Sequence, residues 1–443
     1  MDKKKLLIIV GVISVIIIIL VVLLVVFSSR DDNNINPSGP TTDRNTNTGG
    51  NDKVINYWGL WEPNEVMQPI IDEYEANNPG IKINYVRKSF VQYEESVYFQ
   101  LAEPASPDIV RIHNTWTYKL EDRLSSLPSN VMDSQTYSST FFPIATKSFT
   151  GSDGSIYAIP WEVDGLALYY NKSLFAEAGL TEAPVDWDEF TEYSKLLTKV
   201  EGTTIFQAGA AIGSANNIRH ADEIIGLLLL QNSTSITSGG KIDLSDNRFV
   251  PTMKFYTNFV TEHKVWSDGF DDDMQMFIQG RLAMMFAPSW RVFDIKLANP
   301  NLDFDMVPVP QIVGNTNPVY YADYWGDAVS RNSKYQNEAW DFVYYLSTPE
   351  VMEQIYNNSI EFDQRIFGEP YSRMDMADKI KGDKYVGTVI EMAPNFEQIP
   401  MLDKATLQEL FYPIVDRILS TANIDNNTLS TIENELNQKM SVN

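Results

Sequence analysis

The sequence predicts an α/β body of two lobes set behind an N-terminal transmembrane helix. Three observations carry this. Strand and helix patterns alternate as β-α-β-α-β over residues 54–112, the alternation resumes after Ala158, and about 390 residues follow the N-terminal segment, more than one ordinary core accommodates.

At the start, Lys3, Lys4 and Lys5 precede an uncharged apolar run from Leu6 to Phe27, interrupted only by Gly11 and Ser14. As a helix rising about 1.5 Å per residue it spans a hydrocarbon core of about 30 Å, and the lysines keep the N-terminus in the cytoplasm. Residues 1–5 therefore read as a cytoplasmic tail, 6–27 as a retained single-pass anchor in the cell membrane, and the remainder as extracytoplasmic. A cleavable signal peptide, the other reading, would have an apolar core of about 7–15 residues and a small-x-small site, which this segment fits poorly. Residues 28–53 are Asn, Thr, Asp, Gly, Pro and Ser with almost nothing to bury, a flexible tether.

In the body, Val54 to Trp58 reads as a strand and Asn64 to Glu75 as a helix with its apolar stripe at Val66, Met67, Ile70, Ile71 and Tyr74. Pro79 and Gly80 end it, Ile81, Ile83 and Tyr85 alternate as a second strand, Val91 to Leu101 is helical, and Asp108 to Ile112 is a buried third strand. That order implies a largely parallel sheet whose ligands lie beyond the carboxyl ends of its strands. Leu166 to Tyr170 is a further strand, and Asp188 to Thr198 a helix opened by an acidic cap. Later helices fall at 222–231, 251–262, 272–277, 337–346 and 350–356, and Thr406 to Met440 reads as wholly helical.

Composition excludes several functions. The chain has no cysteine, which removes disulfides, thiolate metal sites, cysteine nucleophiles and a lipid-modified N-terminal cysteine together. A net charge of −25, from 34 basic and 59 acidic residues, repels phosphate backbones and argues against nucleic acid as a partner. The three histidines, His113, His220 and His263, form no zincin pattern and read as ordinary surface or half-buried residues, His113 without an assigned role. Neither a nucleophile elbow nor a phosphate-binding loop occurs, so no catalytic residue, cofactor or metal is expected. A glycosidase carboxylate pair stays open, because spatial separation defines it. The acidic run Asp268 to Asp273 lacks the spacing of a calcium loop and reads as a helix start, where negative charge complements the dipole.

Tryptophans stand near strand ends and loops: Trp58, Trp61, Trp116, Trp161, Trp290 and Trp325. Flat aromatic faces cover the C–H surfaces of a sugar ring while nearby amides and carboxylates take its hydroxyls. Trp187 and Trp340 lie inside helical patterns and read as core.

The run from Ile159 to Leu180, with Trp187-Asp188-Glu189-Phe190 after it, resembles the central signature of family 1 extracellular solute-binding proteins, the maltose-binding-protein-like components of ABC importers. Phe277 to Met285 with Trp290, Gly326-Asp327-Ala328-Val329, Asn337 to Phe342, Tyr57 to Pro63 and Pro107-Asp108-Ile109 agree in order and spacing, so the likeness covers nearly everything after the tether. It implies a two-lobed periplasmic-binding-protein-like fold (type II), with one lobe from residues 54–125 and 327–372 and the other from 126–326 and 373–443. It also implies a cleft that draws on Trp61, Glu62, Asn114, Trp116, Trp161, Asp164, Trp290, Tyr324, Trp325 and Gly326, with Asp164 against sugar hydroxyls and Trp290 stacking. The expected ligand is a small solute, foremost a mono- or oligosaccharide. The expected partners are ABC permease transmembrane subunits, and the expected state is a monomer. A surface glycosidase or a solute sensor without transport are the competing readings.

Overall fold

The computed structural model describes residues 52–441. The anchor and nearly all of the tether expected from the sequence lie outside these residues, and no helix among the described residues is long and apolar enough to cross a membrane. The body begins one residue earlier than expected, because Lys53 already belongs to the first strand.

Alternating burial along β1 (Lys53–Gly59) puts Ile55, Tyr57 and Gly59 inside. It pairs in parallel with β2 (Ile81–Arg87) and β3 (Ile109–His113), Tyr57 lying opposite Tyr85 on one side and Ile109 on the other. Helix Asn64–Asn77 buries the five apolar residues of its stripe as expected, and tolerates Pro69 within it. The next helix runs Tyr93–Gln100, beginning two residues later than expected because Gln92 adopts the left-handed region at φ 59°.

The first sheet is not parallel throughout. Strand Trp325–Ser330 joins β3 antiparallel and also pairs with two short crossing strands, β4 (Leu124–Ser125) and β5 (Ile159–Pro160). The second sheet departs further from the expected pattern: β6 (Ala167–Asn171) runs antiparallel between Met284–Ala287 and Phe304–Val307. Gly280, at φ 72°, ends helix Asp273–Ile278 and turns the chain toward strand Met284–Ala287. Every side chain of that strand is buried, as for a strand covered on both faces.

Local capping follows the sequence closely. Asp272 accepts from the Gln275 amide, so the acidic run opens a helix as expected, and Asn171 accepts from the Leu174 amide. Helix Trp187–Leu197 is capped by Asp186, not by Asp188, because the Asp186 side chain reaches the Glu189 amide. The C-terminal stretch is two helices, Lys404–Thr421 and Asn426–Met440. Ala422 turns left-handed at φ 61°, and Asp425 caps the second. Apolar side chains gather in two clusters. One holds Tyr57, Ile70, Ile109, Trp340 and Phe342 on one face of the first sheet, and the other runs from Val110 and Ile112 through the second sheet. Trp187 and Trp340 are 5% and 0% exposed, core residues as expected.

Gly326 sits where strand Trp325–Ser330 crosses β5, and a Cβ there would lie 2.6 Å from Phe149 Cζ and 2.9 Å from the Ile159 carbonyl oxygen. Gly326→Ala is expected to destabilise the body by roughly 1–3 kcal/mol through overpacking, read as a lower urea midpoint. An unchanged midpoint would show that the crossing tolerates a methyl group.

Candidate functional site

Parallel strands end at the same sheet edge, so the residues following β1 and β3 emerge side by side, and the antiparallel strand Trp325–Ser330 starts there, with Trp325 opposite His113. An aromatic wall results. Trp61 lies 5.4 Å from Phe90 and 6.0 Å from Trp325, and Trp325 lies 5.3 Å from Trp116 and 5.0 Å from His113, all between ring centroids. Trp116 and Trp325 are buried, while Trp61 and Phe90 are 37% and 53% exposed and form the open rim. Phe90, three residues beyond the end of β2, escaped a sequence reading that followed tryptophan alone.

Behind the wall sits a buried cation. Arg111, fully buried in β3, donates through Nη1 to Glu62 at 3.0 Å and through Nε to Asp327 at 2.9 Å, with Tyr57 Oη also accepting. Its guanidinium lies 3.8 Å from the ring centroid of Trp161. Burial pushes the Glu62 carboxyl up and Arg111 opposes it. Glu62 and Trp161 are thus committed to Arg111 and buried. A charged residue inside Ile109-Val110-Arg111-Ile112 was the signal for this group.

Asp164 is buried and accepts from the Ser289 amide, from Ser289 Oγ at 2.8 Å and from the Gly165 amide at 2.8 Å. Burial pushes its carboxyl up to about 8, against those donors. Tyr169 Oη donates to the Pro288 carbonyl at 2.7 Å. Together these bonds fix the turn that presents Trp290, which is 41% exposed, with the Arg291 guanidinium 3.8 Å from its ring centroid. Asn114 binds the Tyr324 backbone in both directions and donates to Gln398 Oε1 at 2.6 Å, fastening β3 to the crossing strand. A cavity of about 460 Å³ lies beside it, lined by Thr117, Ser148 and Gln398 among others, and Asn114 alone of the ten expected residues reaches it. Tyr324 is buried and packs on Phe149, 5.6 Å between centroids.

A polar group meets the wall at His113. His113 Nε2 is 2.6 Å from Asp323 Oδ1, and its Nδ1 is 2.8 Å from Thr115 Oγ1. His220 Nδ1 is 3.0 Å from Glu223 Oε2, and Lys404 Nζ donates to Glu223 Oε1. Ligating atoms of His220, Glu223 and Asp323 all lie within 4.8 Å of one another. Burial alone would raise the Glu223 carboxyl, but Lys404 and His220 hold it well below the usual carboxylate range. Asp222 beside it is raised, chiefly by burial. His220 is 3% exposed and the centre of a network, not the ordinary surface or half-buried residue its sequence suggested. The Asp323–Gly165 side also closes on Asp164, whose carbonyl accepts from the Asp323 amide at 3.0 Å, tying the polar group to the Trp290 support.

An aromatic rim and a polar group converging at the strand ends of an α/β body are the arrangement of a small-molecule binding protein. The chain belongs to the bacterial extracellular solute-binding protein family, whose model matches residues 61–353. A binding protein of Brucella abortus is 23% identical over 280 residues, 62% of this chain and 66% of its own length. The chain therefore spans just under two thirds of that curated relative. The maltotriose-binding protein of Pyrococcus abyssi is 22% identical over 313 residues, covering 69% of this chain and 65% of the relative. The sugar-binding protein MalE of Xanthomonas citri shares the fold at a TM-score of 0.72 and 18% identity, over 88% of this chain and 98% of that one.

Asp327→Ala would leave the Arg111 charge buried without the carboxylate that meets two of its nitrogens, and is expected to cost roughly 3–5 kcal/mol of stability by denaturant unfolding. A loss below about 1 kcal/mol would mean that water reaches the guanidinium.

Proposed function

We propose that this protein is the extracytoplasmic solute-binding component of an ABC importer, and that its solute is a carbohydrate. The observation that carries this is the pair of exposed tryptophans, Trp61 and Trp290, in a set whose other members are half-buried, as Trp58 is, or buried. Each is backed by fixed groups, Trp61 by Phe90 and Trp325, and Trp290 by Arg291 and the Asp164-held turn. Rigid aromatic faces that remain open suit the C–H faces of sugar rings. The family and the maltotriose- and sugar-binding relatives support the same class of solute. No bond is made or broken in this role.

The lobes are residues 53–125 with 327–372, and 126–326 with 373–443. The packing of helix Pro349–Phe362 against helix Asn64–Asn77, with Asn358 Nδ2 donating to the Val66 carbonyl at 3.0 Å, supports the first grouping. The crossing strands at Asn114, Pro160 and Gly326 are the hinge. Solute contacts from both lobes favour the closed form, which a permease then receives. Residues 6–27 anchor the body to the membrane, with residues 28–52 as its leash.

Titration calorimetry against neutral saccharides, amino acids, peptides and polyols tests the solute class. Micromolar or tighter binding is expected for a saccharide, and binding only to another class would refute the reading. Trp290→Ala is expected to weaken saccharide binding at least about tenfold, equivalent to about 1.4 kcal/mol, with the unfolding midpoint retained. Unchanged affinity in the folded variant would remove Trp290 from the site.

A further inference from the structure

We propose that the cavity of about 460 Å³ beside Asn114 is a second small-molecule site, built for the carboxylate group of an amino acid or other small organic acid. It is separate from the aromatic wall: neither the wall's rings nor Trp290 line it, so its occupant does not depend on what the wall binds. Its volume falls within the range of small-molecule sites, about 300–1,000 Å³, and far exceeds the roughly 30 Å³ of one water. Two buried hydroxyl groups on its lining have no partner. Thr117 is 3% exposed and its Oγ1 makes no hydrogen bond, and the same holds for the buried Thr150 Oγ1. Buried polar atoms are nearly always paired, so two unpaired ones on one cavity mark where polar atoms of a ligand belong.

Amide chemistry on the lining defines those ligand atoms. The Tyr324 backbone N–H donates to Asn114 Oδ1, which makes Asn114 Nδ2 a donor, so the atom it reaches on Gln398 at 2.6 Å is the carbonyl oxygen Oε1. Ser148 Oγ donates to the same oxygen at 2.8 Å. The Gln398 amide is thereby held in one orientation, with both acceptor positions of Oε1 filled and Nε2 offering N–H groups only. These assignments involve no titrating group.

Lys147, also on the lining, adds an ammonium group. It pairs with Glu397, but both side chains are well exposed, so the pair contributes little and leaves ammonium N–H groups to give. The Glu121 carboxylate is turned to its own neighbour, accepting from the Ser152 amide and hydroxyl. Two hydroxyls, an amide and an ammonium thus converge as donors, and a carboxylate answers them with charge-assisted hydrogen bonds. A polyol hydroxyl, donor as readily as acceptor, matches Nε2 and the ammonium less well. Glu397 supplies the acceptor that an α-ammonium group requires, which favours amino acids over simple acids, and the exposed Tyr118 ring offers a surface to the rest of the molecule.

The test is calorimetry on the full chain with alanine, glutamine, lactate and glycerol. The two amino acids are expected to bind with dissociation constants below about 1 mM, lactate more weakly and glycerol not measurably. Gln398→Glu keeps an oxygen for Asn114 and Ser148 and exchanges the N–H groups for a carboxylate oxygen. It is expected to lose amino-acid affinity by roughly tenfold or more with the unfolding midpoint retained. Thr150→Val removes a hydroxyl that has no partner, so its midpoint is expected to hold or rise while the affinity falls by roughly tenfold. Wild type that binds neither amino acid nor lactate overturns the proposal, and so does undiminished affinity in the two folded variants. Glycerol bound more tightly than the acids overturns the carboxylate assignment. Hydrogen exchange of wild type needs no variant: alanine is expected to protect residues 147–152 and 397–401, and protection confined to the segments carrying Trp61, Trp290 and Trp325 overturns the proposal by moving the acid to the aromatic wall.

Discussion

The body depends on one buried guanidinium. Arg111 stands at the middle of β3 with Asp327 opposite it in register, and its three nitrogens reach Glu62 after β1, Asp327 on the crossing strand and Tyr57 within β1. The ring of Trp161, from the segment that follows β5, closes its face. Four chain segments that are remote in sequence are thereby held to one charge. Burying that charge is expensive unless all its donors are met, so the arrangement penalises any register but the observed one. The aromatic wall rests on this register, since Trp61 adjoins Glu62 and Trp325 lies two residues before Asp327.

The tryptophans divide by what lies beneath them. Trp116, Trp161 and Trp325 fill space around β3, while Trp61 and Trp290 are supported from below and left open above. Asp164 shows how a buried carboxylate supports an exposed ring: it accepts from the Ser289 amide and hydroxyl, which holds the Ser289 turn, and Trp290 follows from that turn.

Much of the first sheet was legible because its signals are local. The stripe Val66, Met67, Ile70, Ile71, Tyr74 and the Asp272 cap require only neighbours in the chain, and both stand as expected. The second sheet was not legible as antiparallel, because β6 and its partners are separated by over a hundred residues and burial on both faces erases the period that would reveal strand direction. The C-terminal break was hidden for another reason. Ala422 takes a left-handed turn that glycine or asparagine would have announced. In the candidate site, the tryptophans were named from type and position, and Asp164 from the family resemblance. The polar group was missed because His113, His220, Asp323 and Lys404 come from four distant segments, and none carries a motif alone.

The late crossing strand has a consequence for how the chain folds. Tyr57 and Asp327 are bonded across 270 residues, and Arg111 and Asp327 across 216. Contacts of such sequence separation raise contact order and slow folding, since loop closure must precede any gain from them. During synthesis, β3 would present an open edge and an arginine lacking one of its two carboxylates until residues near 330 emerge. The nascent first sheet is therefore an aggregation hazard until the crossing strand is present to cover its edge.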